Sequence, residues 1–233
     1  MGHVLVQLTG EKFDIEDLQL ELKNFNWKIV EEQNNYFLTS EILDSTNDNK
    51  EIISKANDFL DIINGAAKII NPDHIKVTIN SIRQINENGD SFIHKVMITE
   101  TVRLRTRFSA TSFSKENYKE ELKTTTIEDW LLKADAHKSV KNALHFFNEN
   151  ETTWINLYKV YDIIEEDLGG EKALLKFFQV GIKEFKYIAN NYLAIGDHAR
   201  HANQKYPAPS NILSLNDAFY TIKSLFEKWI LTK

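Results

Sequence analysis

The stretch HIKVTINSIRQI (74–85), followed by NENGD (86–90) and SFIHKVMITETVRLRTRF (91–108), decides the fold class. Both flanks are rich in β-branched residues, and Asn88-Gly89 between them is the strongest short hairpin signal. Taking that pair as the turn predicts Ile85 opposite Phe92, Ile79 opposite Ile98 and Ile75 opposite Val102. All six then share one face, so turn and hydrophobic pattern agree on register; Val77 opposite Glu100 is the one poor match. Further along, Val102, Leu104 and Phe108 are expected to point inward and Arg103, Arg105 and Arg107 outward. Three alternating arginines can form an anion-binding stripe. Alternation by itself also produces a solvated, edge-protecting charged face.

Working towards the N-terminus, Val4, Val6 and Leu8 alternate as a strand. Phe13, Leu18, Leu22 and Phe25 have near-helical spacing, with Asp14 as the expected N-cap. Segments 27–32 and 36–43 read as two strands around an Asn34-Asn35 turn. A second helix carries Ile52, Ala56, Phe59, Leu60, Ile63, Ala67 and Ile70 on one face and ends at Asn71-Pro72. The order β-α-β-β-α-β-β predicts an α+β domain over residues 1–110, with helices on one face of an antiparallel sheet.

Residues 111–126, polar and without periodicity, read as a linker. From Ile127 onward the pattern is helical throughout. Thr126 and Asp129 open a helix whose apolar face runs through Trp130, Leu131, Val140, Ala143, Leu144 and Phe147. Thr153 caps the next, with Trp154, Leu157, Tyr158, Tyr161, Ile164 and Leu168 at helical spacing, stopped by Gly169-Gly170. Short helices follow, and Ser214 with Asp217 starts the last. The expectation for residues 127–233 is an all-α helical bundle.

The composition excludes several classes of function. Among 233 residues there is no cysteine, so disulfides, thiolate ligands and a cysteine nucleophile are ruled out. A net charge of −6 argues against a broad basic face for duplex DNA. No apolar run approaches the ~20 residues of a membrane span, and no leader-like segment opens the sequence, so a cytoplasmic protein is expected. There is no P-loop, dinucleotide fingerprint, nucleophile elbow or zinc-protease motif, and no cofactor is expected. Only 5 of 28 basic residues are arginine. Against that bias, an arginine marks a position where a planar five-donor fork is needed.

One polar knot remains: Asn190-Asn191-Tyr192, then Asp197-His198-Ala199-Arg200-His201. Arg200 can stabilise charge on a phosphate while His198 or His201 moves protons near neutral pH. His198 and His201 with Asp197, and a third ligand from Asp162, Glu165 or Glu166, could instead hold a metal; that reading has only two firm ligands, and no metal is expected. Alternatively Asp197, Arg200 and Asn190 tie the bundle together as a hydrogen-bonded network. Lys159 and Asp162, on turns beside Tyr158, are the residues that would link to this knot, and Trp154, Tyr158 and Tyr161 read as a packing face.

An α-bundle with a late Arg–His motif resembles the HEPN domains, many of which are metal-independent ribonucleases of bacterial defence and toxin systems. The resemblance covers residues 127–233. The family pattern is Arg, a polar residue, then His five to seven positions after the Arg; here His201 holds the polar position, and Lys205, Tyr206 and Pro207 stand where that histidine would fall. The Trp154, Leu157, Tyr158, Lys159 segment followed by Ala199-Arg200-His201 is also similar to uncharacterised bacterial two-part proteins. The resemblance implies antiviral defence and RNA binding, with Arg200, His201 and His198 as catalytic residues. The residues alone imply recognition of a phosphate-bearing or other anionic ligand, or of a protein partner, at Arg103, Arg105, Arg107, Asp197, Asn190 and Lys159. The expected partner is thus an anionic ligand, RNA or a protein, a second copy of the chain included, and neither duplex DNA nor membrane.

Overall fold

The computed structural model describes residues 3–96, 127–149, 151–202, 207–210 and 212–233. Five antiparallel strands form one sheet: β1 (His3–Thr9), β2 (Trp27–Glu32), β3 (Asn35–Ser40), β4 (Thr78–Ile85) and β5 (Ser91–Lys95), in the order β2-β3-β1-β4-β5. On β1 the alternation Val4, Val6, Leu8 faces the core, as its period of two requires. A bulge between Gln7 and Leu8 shifts the register against β4 and keeps Val6 opposite Ile82 and Leu8 opposite Ile79. Helices α1 (Lys12–Glu21) and α3 (Asn49–Ile70) follow β1 and β3 in the predicted order, so the N-terminal part is α+β.

The hairpin forms, one residue out of the expected register: Ile85 pairs with Ser91, and Phe92 with Gln84. The cause is the loop. Asn86 N–H donates to Asp90 O at 3.0 Å and Gly89 N–H to Asn86 O at 3.0 Å, so three residues turn the chain and Gly89 takes φ +86°. The Asn86 side chain stiffens the loop by accepting from Asn88 N–H and Asp90 N–H. Strand β4 also starts at Thr78, not His74, because Val77 N–H donates to the side chain of Asn64. The positions beyond Val96 in the expected second strand, Arg103, Arg105 and Arg107 among them, lie outside the described residues.

Further expectations are corrected. The β2–β3 turn is Gln33-Asn34, both at positive φ (51° and 63°), a residue earlier than expected. Strand β3 stops at Ser40, whose hydroxyl accepts from Ile42 N–H and opens the one-turn helix α2 (Glu41–Asp44). Asp14 is not a cap; it lies in the first turn of α1, 3% exposed, and its Oδ2 accepts from Ile75 N–H at 3.2 Å. Phe13, from the expected core stripe, is exposed, and at the end of α3 it is Ile69, not Ile70, that is buried.

Among the described residues every element from Ile127 onward is helical: α4 (Ile127–Ala136), α5 (Lys138–Phe147), α6 (Trp154–Asp167), α7 (Glu171–Phe177), α8 (Ile182–Ala189), α9 (Tyr192–Ile195) and α10 (Leu215–Ile230). The predicted first helix is broken in two at His137, which is extended. Thr153 caps α6 through Asn156 N–H, and Ser214 caps α10 through Asp217 N–H. Asp167, at the end of α6, accepts from Ser139 Oγ at 3.0 Å, from Trp229 Nε1 at 2.8 Å and from Lys233 Nζ, tying α5, α6 and α10 together.

Helix α3 serves both halves. It packs on β4 on one side and on α4 and α5 on the other, and the buried apolar side chains run through it as one cluster from Val6 to Phe226. The α3–α5 crossing is made by Gly65, where a Cβ would stand 2.0 Å from Leu144 O. Next to it Asn64, 1% exposed, donates from Nδ2 to Leu60 O and Val77 O. Its Oδ1 accepts from Val77 N–H and from His74 Nε2. This fixes the His74 tautomer with hydrogen on Nε2 and turns Nδ1 towards Asp14 Oδ1, 3.3 Å away. Burial pulls His74 below the usual imidazole value, against the opposing pull of Asp14.

Candidate functional site

Helix α6 sets the floor of the polar knot. Its period buries Trp154, Leu157, Tyr158, Tyr161 and Ile164 and leaves Ile155, Lys159 and Asp162 along the outer edge. Phe185, on α8, stacks against Trp154 and Tyr158. That packing places the end of α8 beside Tyr158, and Asn190 Nδ2 donates to Tyr158 Oη at 3.1 Å and to Lys186 O at 2.7 Å.

Beyond Asn190 helix α8 does not continue. The chain makes the turn α9, reverses at Gly196 (φ +60°), passes through a 3₁₀ turn at Gly196–His198 and returns to α8. Arg200 N–H closes this excursion on Ala189 O at 2.9 Å. Tyr192 Oη donates to Asp197 Oδ1 at 2.9 Å, while Tyr187 Oη and Asn191 Nδ2 both hold Pro207 O at 2.8 Å. Asp197 thus holds the loop through Tyr192, and Asn190 ties the end of α8 to Tyr158. The Arg200 side chain is paired with neither of them; its partners are Tyr158 and Asp162.

Arg200 is held by different groups. Its guanidinium carbon lies 4.5 Å over the Tyr158 ring, and Nη2 is 3.4 Å from Asp162 Oδ2. Both charged side chains are half exposed, 46% and 44%. The guanidinium makes no hydrogen bond among the described residues; Asp162 balances its charge at a distance and does not engage its donors. Burial, with Glu165 beside it, pushes the Asp162 carboxyl above the usual value, although Arg200 and Lys186 pull the other way. Burial opposes the charge on Lys186, yet the Glu171 carboxylate at 3.0 Å and Glu165 hold its value above normal. Burial and Glu165 likewise push the Tyr161 hydroxyl well up.

Lys159, one residue from Tyr158, lies 4.7 Å over the Phe146 ring. Two adjacent positions of α6 therefore border two cations, each laid on an aromatic ring. Arg83 repeats the arrangement on the sheet: its guanidinium lies 4.5 Å over Phe37 and is paired with Glu32. Both described arginines thus occupy places where a flat fork stacks on a ring, which a lysine ammonium would fill differently.

His198 and His201 are exposed and make no hydrogen bond or ion pair among the described residues. They sit on the same returning segment as Arg200 and do not share a helical face, because the chain is extended at Ala199. Among the described residues no group of three His, Asp or Glu is placed to hold a metal ion. Among the described residues two small cavities flank the α5–α6 connection, neither lined by Tyr158, Asp162 or Arg200, and hold about 10 Å³ each, room for one water. Arg103, Arg105 and Arg107 fall outside the described residues. Sequence reasoning treated Tyr158 only as packing and missed its use as the platform under Arg200. It also missed the buried Asp14–His74–Asn64 cluster, whose one visible sign is the lone His74 just after Asn71-Pro72.

No family model, no curated protein and no solved structure matches this chain.

Proposed function

We propose that the protein is a recognition protein that binds a phosphate-bearing ligand at Arg200 without turning it over. The observation that carries this reading is the Arg200 guanidinium: stacked on Tyr158, half exposed, and making no hydrogen bond among the described residues. Stacking removes much of the rotamer freedom that an anion would otherwise have to freeze, so the fork is pre-organised. Lys159, next to Tyr158 on α6 and laid on its own ring, adds positive charge, and the exposed His198 and His201, within two residues of Arg200 in the chain, add hydrogen-bonding groups. Recognition is favoured over turnover because, among the described residues, neither histidine has a partner that would orient it for proton transfer, and general acid–base chemistry needs such orientation. Among the described residues no helix is long and apolar enough to cross a membrane.

The test is fluorescence anisotropy with a short fluorescein-labelled single-stranded RNA, run beside a cleavage assay of the same RNA in EDTA. The wild type should bind and leave the RNA intact. Arg200→Ala should weaken binding by about 10- to 100-fold, the equivalent of 1.5–3 kcal/mol for charge-assisted hydrogen bonds. Its melting temperature should move little, since half-exposed pairs are worth about 0–1 kcal/mol. Cleavage in EDTA that is lost on His201→Ala would replace recognition by a ribonuclease reading. Binding unaffected by Arg200→Ala would end both.

A further inference from the structure

We infer that Asp162 is a built-in competitor for the ligand of Arg200, a carboxylate beside Nη2 of the guanidinium that offsets the charge an external anion would meet. The inference rests on the anion-binding reading of Arg200 and goes further by assigning the residue that sets the strength of that site.

The geometry separates a competitor from a structural partner. A carboxylate that anchors an arginine does so with hydrogen bonds of about 2.7–2.9 Å, and preferably two of them. Asp162 stands 3.4 Å from Nη2 alone, with no hydrogen bond between them. What fixes Arg200 is elsewhere: its own N–H on Ala189 O and its guanidinium face on Tyr158. Asp162 is therefore dispensable for placing the arginine, yet it cancels much of the charge that a ligand would meet. Its position on α6 is equally fixed, one turn beyond Tyr158 on the outer edge of the helix.

The groups around Asp162 favour its giving way. Glu165 on its own helix repels its charge and partial burial disfavours it. Arg200 from the returning segment and Lys186 from α8 attract it, but Lys186 is already committed to Glu171. An anion arriving at Arg200 thus displaces a weakly held carboxylate, not a bonded one. A ligand with several oxygens, such as a phosphate, can use the donors that Asp162 leaves idle; a single monodentate oxygen offers nothing that Asp162 does not.

The experiment uses the same labelled RNA and the full chain. Asp162→Asn keeps size and polarity and removes the charge; it should tighten binding by about two- to fivefold, the range of a partly exposed ion pair. The ratio of wild-type to Asp162→Asn dissociation constants should shrink towards one as pH falls from neutral into the carboxylate range, because the wild-type group then loses its charge as well. Asp162→Ser serves as a second variant, with melting temperatures checking that both are folded. If Arg200→Ala loses binding while both Asp162 variants bind no better than wild type, the competitor role is refuted and the site reading stands. If Arg200→Ala binds as well as wild type, the site reading fails and takes this inference with it.

Discussion

Replacing Gly65 by alanine should destabilise the protein although alanine is the better helix former. At an ordinary position inside α3 the exchange would stabilise by about 1 kcal/mol. At Gly65 the new Cβ would stand 2.0 Å from Leu144 O, 2.8 Å from Leu144 C and 3.2 Å from its Cα, where ordinary contact begins at 3.4 Å. All three atoms are backbone, so no side chain can rotate away and α3 must retreat from α5 by more than 1 Å. A gap of 0.5–1 Å forfeits roughly a quarter to a half of a dispersion contact, and it opens along the whole seam. Overpacking of this kind costs about 1–3 kcal/mol, and a backbone clash belongs at the upper end even after the helix gain. A net loss of about 3 kcal/mol lowers the melting temperature by roughly 6–12 °C in a chain of this size. Thermal unfolding followed by far-UV circular dichroism, with urea titration beside it, measures the effect. A melting temperature unchanged or raised would show that the helices do not meet at Gly65.

Two further outcomes concern protonation and buried carboxylates. Because burial lowers His74 in the folded protein, the unfolded chain takes up a proton first; stability is complete above about pH 6.5 and falls below it, by at most about 1.4 kcal/mol per unit, levelling once folded His74 is charged. Urea titrations across that window should show the slope in the wild type and a shallower one in His74→Gln; identical slopes would exonerate His74. Burial raises Asp167, but its bonds from Lys233, Trp229 and Ser139 prevail and hold it below the ordinary carboxylate value, so its contribution persists above about pH 4 and disappears only in stronger acid. Asp167→Ala, which leaves Trp229 Nε1 without its acceptor, should cost about 2–3 kcal/mol at neutral pH, and a change under 0.5 kcal/mol would contradict that.

Local signals carried most of the architecture. Asn88-Gly89 announced a hairpin, the period of Ile52, Phe59 and Ile63 announced α3, and Thr153 and Ser214 announced two helix starts; each depends on residues only a few positions apart. The register of the hairpin was not legible, because two- and three-residue loops both accept Asn-Gly and the choice was made by Asn86. Strand β3 was read too long because a serine cap and a strand residue look alike until Ser40 turns its hydroxyl onto Ile42 N–H. At the knot, the sequence identified Arg200 and the carboxylates of the Trp154 helix but not which of them meets the arginine. That depends on how α8 returns to α6, set by Phe185 packing on Trp154 and Tyr158. The Asp14–His74–Asn64 cluster was illegible for the same reason: Asp14 reaches a backbone group 61 residues away.

The double role of α3 has a consequence for synthesis on the ribosome. The sheet-facing side of this helix meets β4 within a few residues of its own end, but the side around Gly65 waits for α5, with residues 71–137 still to be translated. At about 5–20 residues per second that interval lasts roughly 3–13 s, during which Gly65 lacks the Leu144 backbone on which it packs. The nascent chain should therefore be most vulnerable to aggregation, and most dependent on a chaperone, at lengths between the completion of α3 and the emergence of Phe147.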